Sequence, residues 1–109
     1  MLVNCYNNGS VALWDIGENK QIALLPNVHH NYTYKLRLHS PCTLISCGAD
    51  GFVVRTDLHK MKHLGSFPHP AGVWCAEKVD NNCVVSVGLM KKVFVWDVRC
   101  RRIVQQLRL

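Results

Sequence analysis

The chain is poor in acids. Seven Asp and Glu stand against thirteen Lys and Arg, a formal net charge of +6 over 109 residues. It also lacks long apolar runs. The longest, such as Val93 to Trp96, reach four or five residues, far short of the roughly 18 that a helical membrane span needs. The opening Met1-Leu2-Val3-Asn4-Cys5-Tyr6 has neither a basic region nor an apolar core, so no secretory signal is expected. No segment of about ten residues keeps apolar positions at i, i+3 and i+4, which argues against amphipathic helices. No Pro/Gly-rich or low-complexity linker divides the chain, whose length suits one small domain.

Six cysteines (Cys5, Cys42, Cys47, Cys75, Cys83 and Cys100) are present, but none forms a C-x-x-C pair. Scattered singly through apolar segments, they are expected to be buried free thiols acting as small hydrophobes. Together with the missing signal, this predicts a soluble intracellular protein, cytoplasmic or nuclear, with no membrane contact.

What the chain has is short runs of Val, Ile, Leu, Phe and Tyr, broken by turn signals at intervals of about 8–12 residues. The spacing predicts strands over 2–6, 10–15, 20–25, 32–38, 43–47, 52–57, 62–67, 72–78, 82–87, 92–97 and 102–108. Between them lie Asn7-Asn8-Gly9, Gly17-Glu18-Asn19, Ser40-Pro41, Gly48-Ala49-Asp50-Gly51 and Asp80-Asn81-Asn82, residues that tolerate the positive φ of tight turns. The chain also repeats itself. Val11-x-x-Trp14-Asp15-Ile16 returns as Val93-x-x-Trp96-Asp97-Val98, with a worn copy at Val53-x-x-Thr56-Asp57-Leu58. The steps from Asp15 to Asp57 and from Asp57 to Asp97 are nearly equal. A period of this size, roughly 40 residues, means stacked supersecondary units.

On these residues the chain resembles WD-repeat β-propellers. The resemblance implies an all-β fold, an incomplete propeller of four-stranded antiparallel blades, divided as 1–26 (an incomplete blade), 27–68 and 69–109. It also implies a hydrogen-bond network of His, Ser, Asp and Trp within each blade. The middle unit matches at His29 or His30, Ser46 and Asp50, with Thr56 in the Trp position. The last matches at His69, Ser86 and Trp96, with Met90 in the Asp position. The first keeps Trp14 and Asp15, with Asn8 where the Asp would be. A propeller typically closes with roughly 4 to 8 blades. The chain is therefore expected to be a fragment or short isoform of a longer protein, or to complete a ring with other subunits.

Three chemistries are conceivable on these residues. Cys42-x4-Cys47-x11-His59-x3-His63 comes within one residue of a two-Cys, two-His zinc-finger spacing. A finger needs converging thiolates, whereas Cys42 and Cys47 fall at opposite ends and faces of one short strand, so no metal or other cofactor is expected. Ser46 and Ser86 lie near histidines, but no nucleophile motif surrounds them, and Asp50 reads as a turn-holding acceptor; no enzyme is expected. Lys91, Lys92, Arg99, Arg101, Arg102 and Arg108 face only Asp97 in the last stretch. These charges either keep the surface soluble or attract a polyanion; no aromatic–basic stacking motif accompanies them.

Function is thus expected at surfaces. The leading expectation is a scaffold or adaptor that binds proteins or peptides. The resemblance also admits a substrate-recognition part of a ubiquitin ligase, and the basic last unit admits RNA or nucleoprotein binding. The binding positions expected are Asn31, Tyr32, Asp50, Ala71, Trp74 and Met90. The strand alternation puts Val73 and Cys75 on one side and Trp74 on the other; with Val73 and Cys75 in the core, Trp74 either fills space against the neighbouring unit or serves as a binding anchor.

Overall fold

A computed structural model describes residues 2–6, 8–30, 32–40, 42–80, 82–89, 91–99 and 102–108. Among these, eleven strands and no helix are present, so no helix is long and apolar enough to cross a membrane. The strands are β1 (Leu2–Cys5), β2 (Val11–Asp15), β3 (Lys20–Leu25), β4 (Thr33–Ser40), β5 (Thr43–Gly48), β6 (Phe52–Asp57), β7 (Lys62–Pro68), β8 (Val73–Lys78), β9 (Cys83–Gly88), β10 (Lys92–Asp97) and β11 (Arg102–Arg108). They form three antiparallel meanders: β1-β2-β3, β4-β5-β6-β7 and β8-β9-β10-β11. The strand pattern read from the sequence holds, with β4 running to Ser40, past its expected end.

Local chemistry repeats with the sequence. The aspartate ending β2, β6 and β10 caps the turn that follows. Asp15 accepts the amide of Glu18 (3.2 Å), Asp57 those of His59 (2.9 Å) and Lys60 (3.0 Å), and Asp97 that of Arg99 (2.8 Å). Asn19 and Met61 then take positive φ (53° and 50°) to close the first two turns. A register shift recurs beside each cap, at Leu13/Trp14, Arg55/Thr56 and Val95/Trp96.

The sheets radiate from one side. Backbones approach most closely where β4 and β5 meet β8 and diverge toward β7. Large side chains fill the resulting wedge. Between the second and third sheets, Ile45, Cys47, Val53 and Phe67 pack against Val73, Ala76, Val84, Phe94, Trp96 and Val98. The Phe67 and Trp96 rings lie 4.7 Å apart. Fully burying one such side chain stabilises by about 1.5–3 kcal/mol. A second cluster (Val11, Val28, Leu44, Val54 and Leu58, with Val3 and Leu25) joins the first sheet to the second.

Backbone latches link the sheets. The His29 amide donates to Gly9 O (3.0 Å), and the His69 amide to Gly51 O (2.8 Å). Both glycines have φ +85°. A Cβ on Gly9 would lie 1.7 Å from His29 O, so only glycine permits that approach.

Two sequence expectations need correction. Ala76, not Cys75, joins Val73 in the core, because a bulge between Val73 and Cys75 shifts the alternation by one residue. The thiols are not uniformly buried either. All five described cysteines are free, but only Cys47 is fully buried and Cys42 is exposed. Burial pushes the Cys47 thiol up to about 12, so it stays protonated and acts as a hydrophobe. The zinc-finger residues do not converge: Cys47 faces the third sheet, whereas His63 pairs with Thr56 on the other face of the second. Among the described residues no His, Cys, Asp or Glu side chains group as a metal site.

Candidate functional site

Each sheet has two ends. The upper end is where β4, β6, β8 and β10 begin, and it is held by buried polar relays of different composition. In the third sheet, Trp96 Nε1–H donates to Ser86 Oγ (3.0 Å), which lies 2.7 Å from His69 Nε2. His69 Nδ1 lies 2.9 Å from Phe67 O. A carbonyl only accepts, so Nδ1 carries the proton and Ser86 donates to Nε2. Phe67 O thus takes the acceptor role expected of an Asp at position 90; Met90 itself lies outside the described residues.

In the second sheet, His29 is the histidine used. Its Nδ1–H donates to Asp50 (2.9 Å to Oδ1), and its Nε2 lies 2.9 Å from Ser46 Oγ. The outer His30 contributes only its amide, to Asp50 Oδ2 (3.0 Å). Thr56 replaces the indole, and its buried hydroxyl finds no partner among the described residues. Burial lowers the pKa of both His29 and His69, against an opposing pull from Asp50 on His29 and from backbone groups on His69. Both rings are therefore neutral at pH 7. In the first sheet, Trp14 Nε1–H donates to Asn4 Oδ1 (2.9 Å), and Asn8 Oδ1 accepts the Ser10 amide (3.1 Å). Asn4 fills the serine position, which the sequence reading missed although it lies one repeat upstream.

Ser46, His29 and Asp50 have the connectivity of a hydrolytic triad. Yet Ser46 and His29 are both 0% exposed, so no substrate reaches the hydroxyl. The relay holds loops in place. Asp50 accepts from the His29 ring, the His30 amide and the Phe52 amide, with its side chain 6% exposed. Asp50 thus braces the turn from within.

The relays present aromatic side chains. Register shifts at Thr33/Lys35 and Val73/Cys75 leave Tyr34 and Trp74 as the extra residues, one repeat apart. A bulge re-aims its side chain, and here it turns both rings outward, 46% and 53% exposed, with Tyr32 beside them at 53%. The bulges are pinned from behind: the Ala49 amide donates to Tyr32 O (2.8 Å) and the Leu89 amide to Gly72 O (2.9 Å). Gly48 and Gly88 permit this, since a Cβ would lie 2.5 Å from Tyr32 O and 2.1 Å from Gly72 O. Ala71 is half-buried behind the turn of Gly51, and Asn31 lies outside the described residues. Tyr34 and Leu89 (54% exposed) join the rim. The mark of Leu89 in the sequence is an apolar residue directly after the turn glycine.

No protein-family model matches the sequence, and no curated protein does. Solved structures do match. The WD40 β-propeller domain of Doa1 superposes with a TM-score of 0.87 at 23% identity, over 98% of this chain and 36% of that one. The WD40 repeats of RRP9 match with a TM-score of 0.87 at 17% identity, over 98% and 34%. U3-55K matches with a TM-score of 0.87 at 16% identity, over 98% and 35%. The chain spans about a third of the length of each. Its fold is that of the WD40 β-propeller, an all-β arc of antiparallel blades, as the Trp-Asp repeats imply.

Proposed function

We propose that the chain is a non-catalytic protein-docking module of WD-repeat type, working as part of a larger ring. The observation that carries the docking reading is the repeated bulge. Tyr34 and Trp74 occupy the same place in successive sheets, both exposed and both held by rigid backbone. Aromatic rings on a fixed scaffold are common binding anchors. The five described cysteines, all free, suit a reducing, intracellular setting.

Two features support completion by further blades, from a longer chain or another subunit. Val85, Val87, Val93 and Leu107 of the third sheet hold the places that Ile45, Cys47, Val53 and Phe67 hold one repeat earlier. The earlier four are at most 1% exposed beneath the third sheet, whereas Leu107 is 49% exposed. The third sheet thus carries an apolar face like the one its neighbour uses for stacking. At the other side, β1 is an edge strand beside a hollow of about 240 Å³ lined by Leu2, Val3, Leu36, Arg37, Leu38 and Leu44. The other two sheets have an innermost fourth strand at that place.

The test is affinity capture with the chain in its full-length context, comparing wild type with Tyr34→Ala/Trp74→Ala and with a lower-end control, Lys60→Ala. Proteins retained by wild type and the control but lost with the aromatic pair support docking through this rim. An unchanged set of proteins removes the reading.

A further inference from the structure

The two ends of the sheets differ in charge, and this becomes visible only once strand order is known. Five of the seven acids (Asp15, Glu18, Asp57, Asp80 and Asp97) lie in the turns and strand ends of the lower end. They are interleaved there with Lys20, Lys60, Lys62, Arg99 and Arg102. At the upper end the turns and strand ends contain one acid, Asp50, whose carboxylate is enclosed by its donors. The lysines and arginines of those upper turns and strand ends are Lys91, Lys92 and Arg108, all on the third sheet.

These three cations gather at one spot. Lys92 and Arg108 are cross-strand partners in β10 and β11, so they share a face, and Lys91 adjoins them at φ +57°. None has a carboxylate partner among the described residues. Like charges directly opposed across a ladder are destabilising, and an anion lying between them would relieve the repulsion. Toward the inner side of the same sheet end stand Leu89 and Trp74. Leu89 packs near Gly72, two residues before Trp74, and both side chains are more than half exposed.

We propose that the upper end of the third sheet docks an acidic peptide segment carrying an apolar side chain. Its carboxylates would lie over Lys91, Lys92 and Arg108, with the apolar group beside Trp74 and Leu89. The inference rests on the docking reading of this rim and adds the chemistry of the partner. A nucleic acid fits less well, because a phosphate backbone needs a continuous cationic track. The upper turns and strand tips of the first two sheets add no Lys or Arg to one, and Lys35 lies inside β4.

The experiment is fluorescence anisotropy with a dye-labelled peptide bearing a run of glutamates on each side of one phenylalanine. Controls are the same peptide with glutamines for the glutamates, and a uridine-rich RNA of equal length. The expected result is salt-sensitive binding of the acidic peptide, weakened about tenfold or more by Lys92→Glu and separately by Trp74→Ala. Lys92→Glu faces Arg108 and replaces a repulsive pair by an attractive one, so its loss of binding does not come from unfolding. Absence of acidic-peptide binding, equal binding of the glutamine peptide, tighter binding of the RNA, or an unchanged affinity in Lys92→Glu each overturns the inference. If Trp74→Ala removes captured proteins while Lys92→Glu leaves them bound, the rim still docks partners and only the acidic chemistry is wrong.

Discussion

Alanine at Gly9 should be far more damaging than alanine at Gly51, although both glycines occupy the same turn of the repeat with φ +85°. The left-handed strain of a Cβ, about 1–2 kcal/mol, is common to both. So is the roughly 0.4–1 kcal/mol gained by restricting the unfolded chain. The difference lies in the neighbouring sheet. At Gly51 the new Cβ meets His69 O at 3.1 Å and Ala71 O at 3.2 Å, a fit relieved by a small adjustment. At Gly9 it meets His29 O at 1.7 Å and His29 C at 2.5 Å, both backbone atoms. Reaching even 3.0 Å from that oxygen nearly doubles the separation, so the two backbones must move apart bodily. Such a shift breaks the His29-to-Gly9 latch and pulls the His29 ring from Asp50 and Ser46. Losing a hydrogen bond and leaving buried groups unpaired costs about 2–4 kcal/mol. Gly9→Ala should therefore be less stable than Gly51→Ala by at least about 2 kcal/mol, a large share of a small domain's stability. Urea unfolding followed by circular dichroism reads this as a lower midpoint at similar slope. Failure of Gly9→Ala to fold while Gly51→Ala folds would also agree. Equal midpoints, or a worse result for Gly51→Ala, would refute the packing argument.

Trp96→Ala should cost about 3–5 kcal/mol, since the ring is buried against Phe67 and His69. Trp14→Ala, at a partly exposed ring, should cost less than half as much in the same urea assay. Asp50→Asn should destabilise by about 2–3 kcal/mol, because its amide turns donors toward a site that already supplies three N–H groups. A midpoint equal to wild type would contradict the brace role. Stability should also fall with acid. His29 and His69 have folded pKa values below the usual 6.5, so the unfolded chain takes up these protons first. The stabilisation is complete above pH 6.5 and is lost as pH drops through each folded value. Unfolding midpoints from pH 7.5 to 5 should decline, and His69→Gln should flatten the slope; stability that rises toward pH 5 would reverse the sign.

Features set by local chemistry were legible in the sequence. Alternating apolar runs and Asn/Gly turns marked the strands, and the Trp-Asp period marked the sheets. The turn-capping aspartates act within a few residues of themselves. What escaped depends on distant partners. Whether His29 or His30 enters the relay is decided by Ser46 and Asp50, two strands further along the chain. Phe67 O answers His69 with a backbone atom that no side-chain motif records. The bulge that moves Cys75 out of the core and puts Ala76 there reflects ladder register. Charge segregation was hidden because Lys91 and Arg108, on either side of a full hairpin, share an end only through the pairing of β10 with β11.

The register shift before positions 14, 56 and 96 persists whether the residue is Trp or Thr. Its cause is thus the capped hairpin and not the indole. A kink that outlives its side chain leaves the position free to diversify while the strand keeps its course. Successive copies of one template can in this way acquire different inner chemistries without rebuilding their frame.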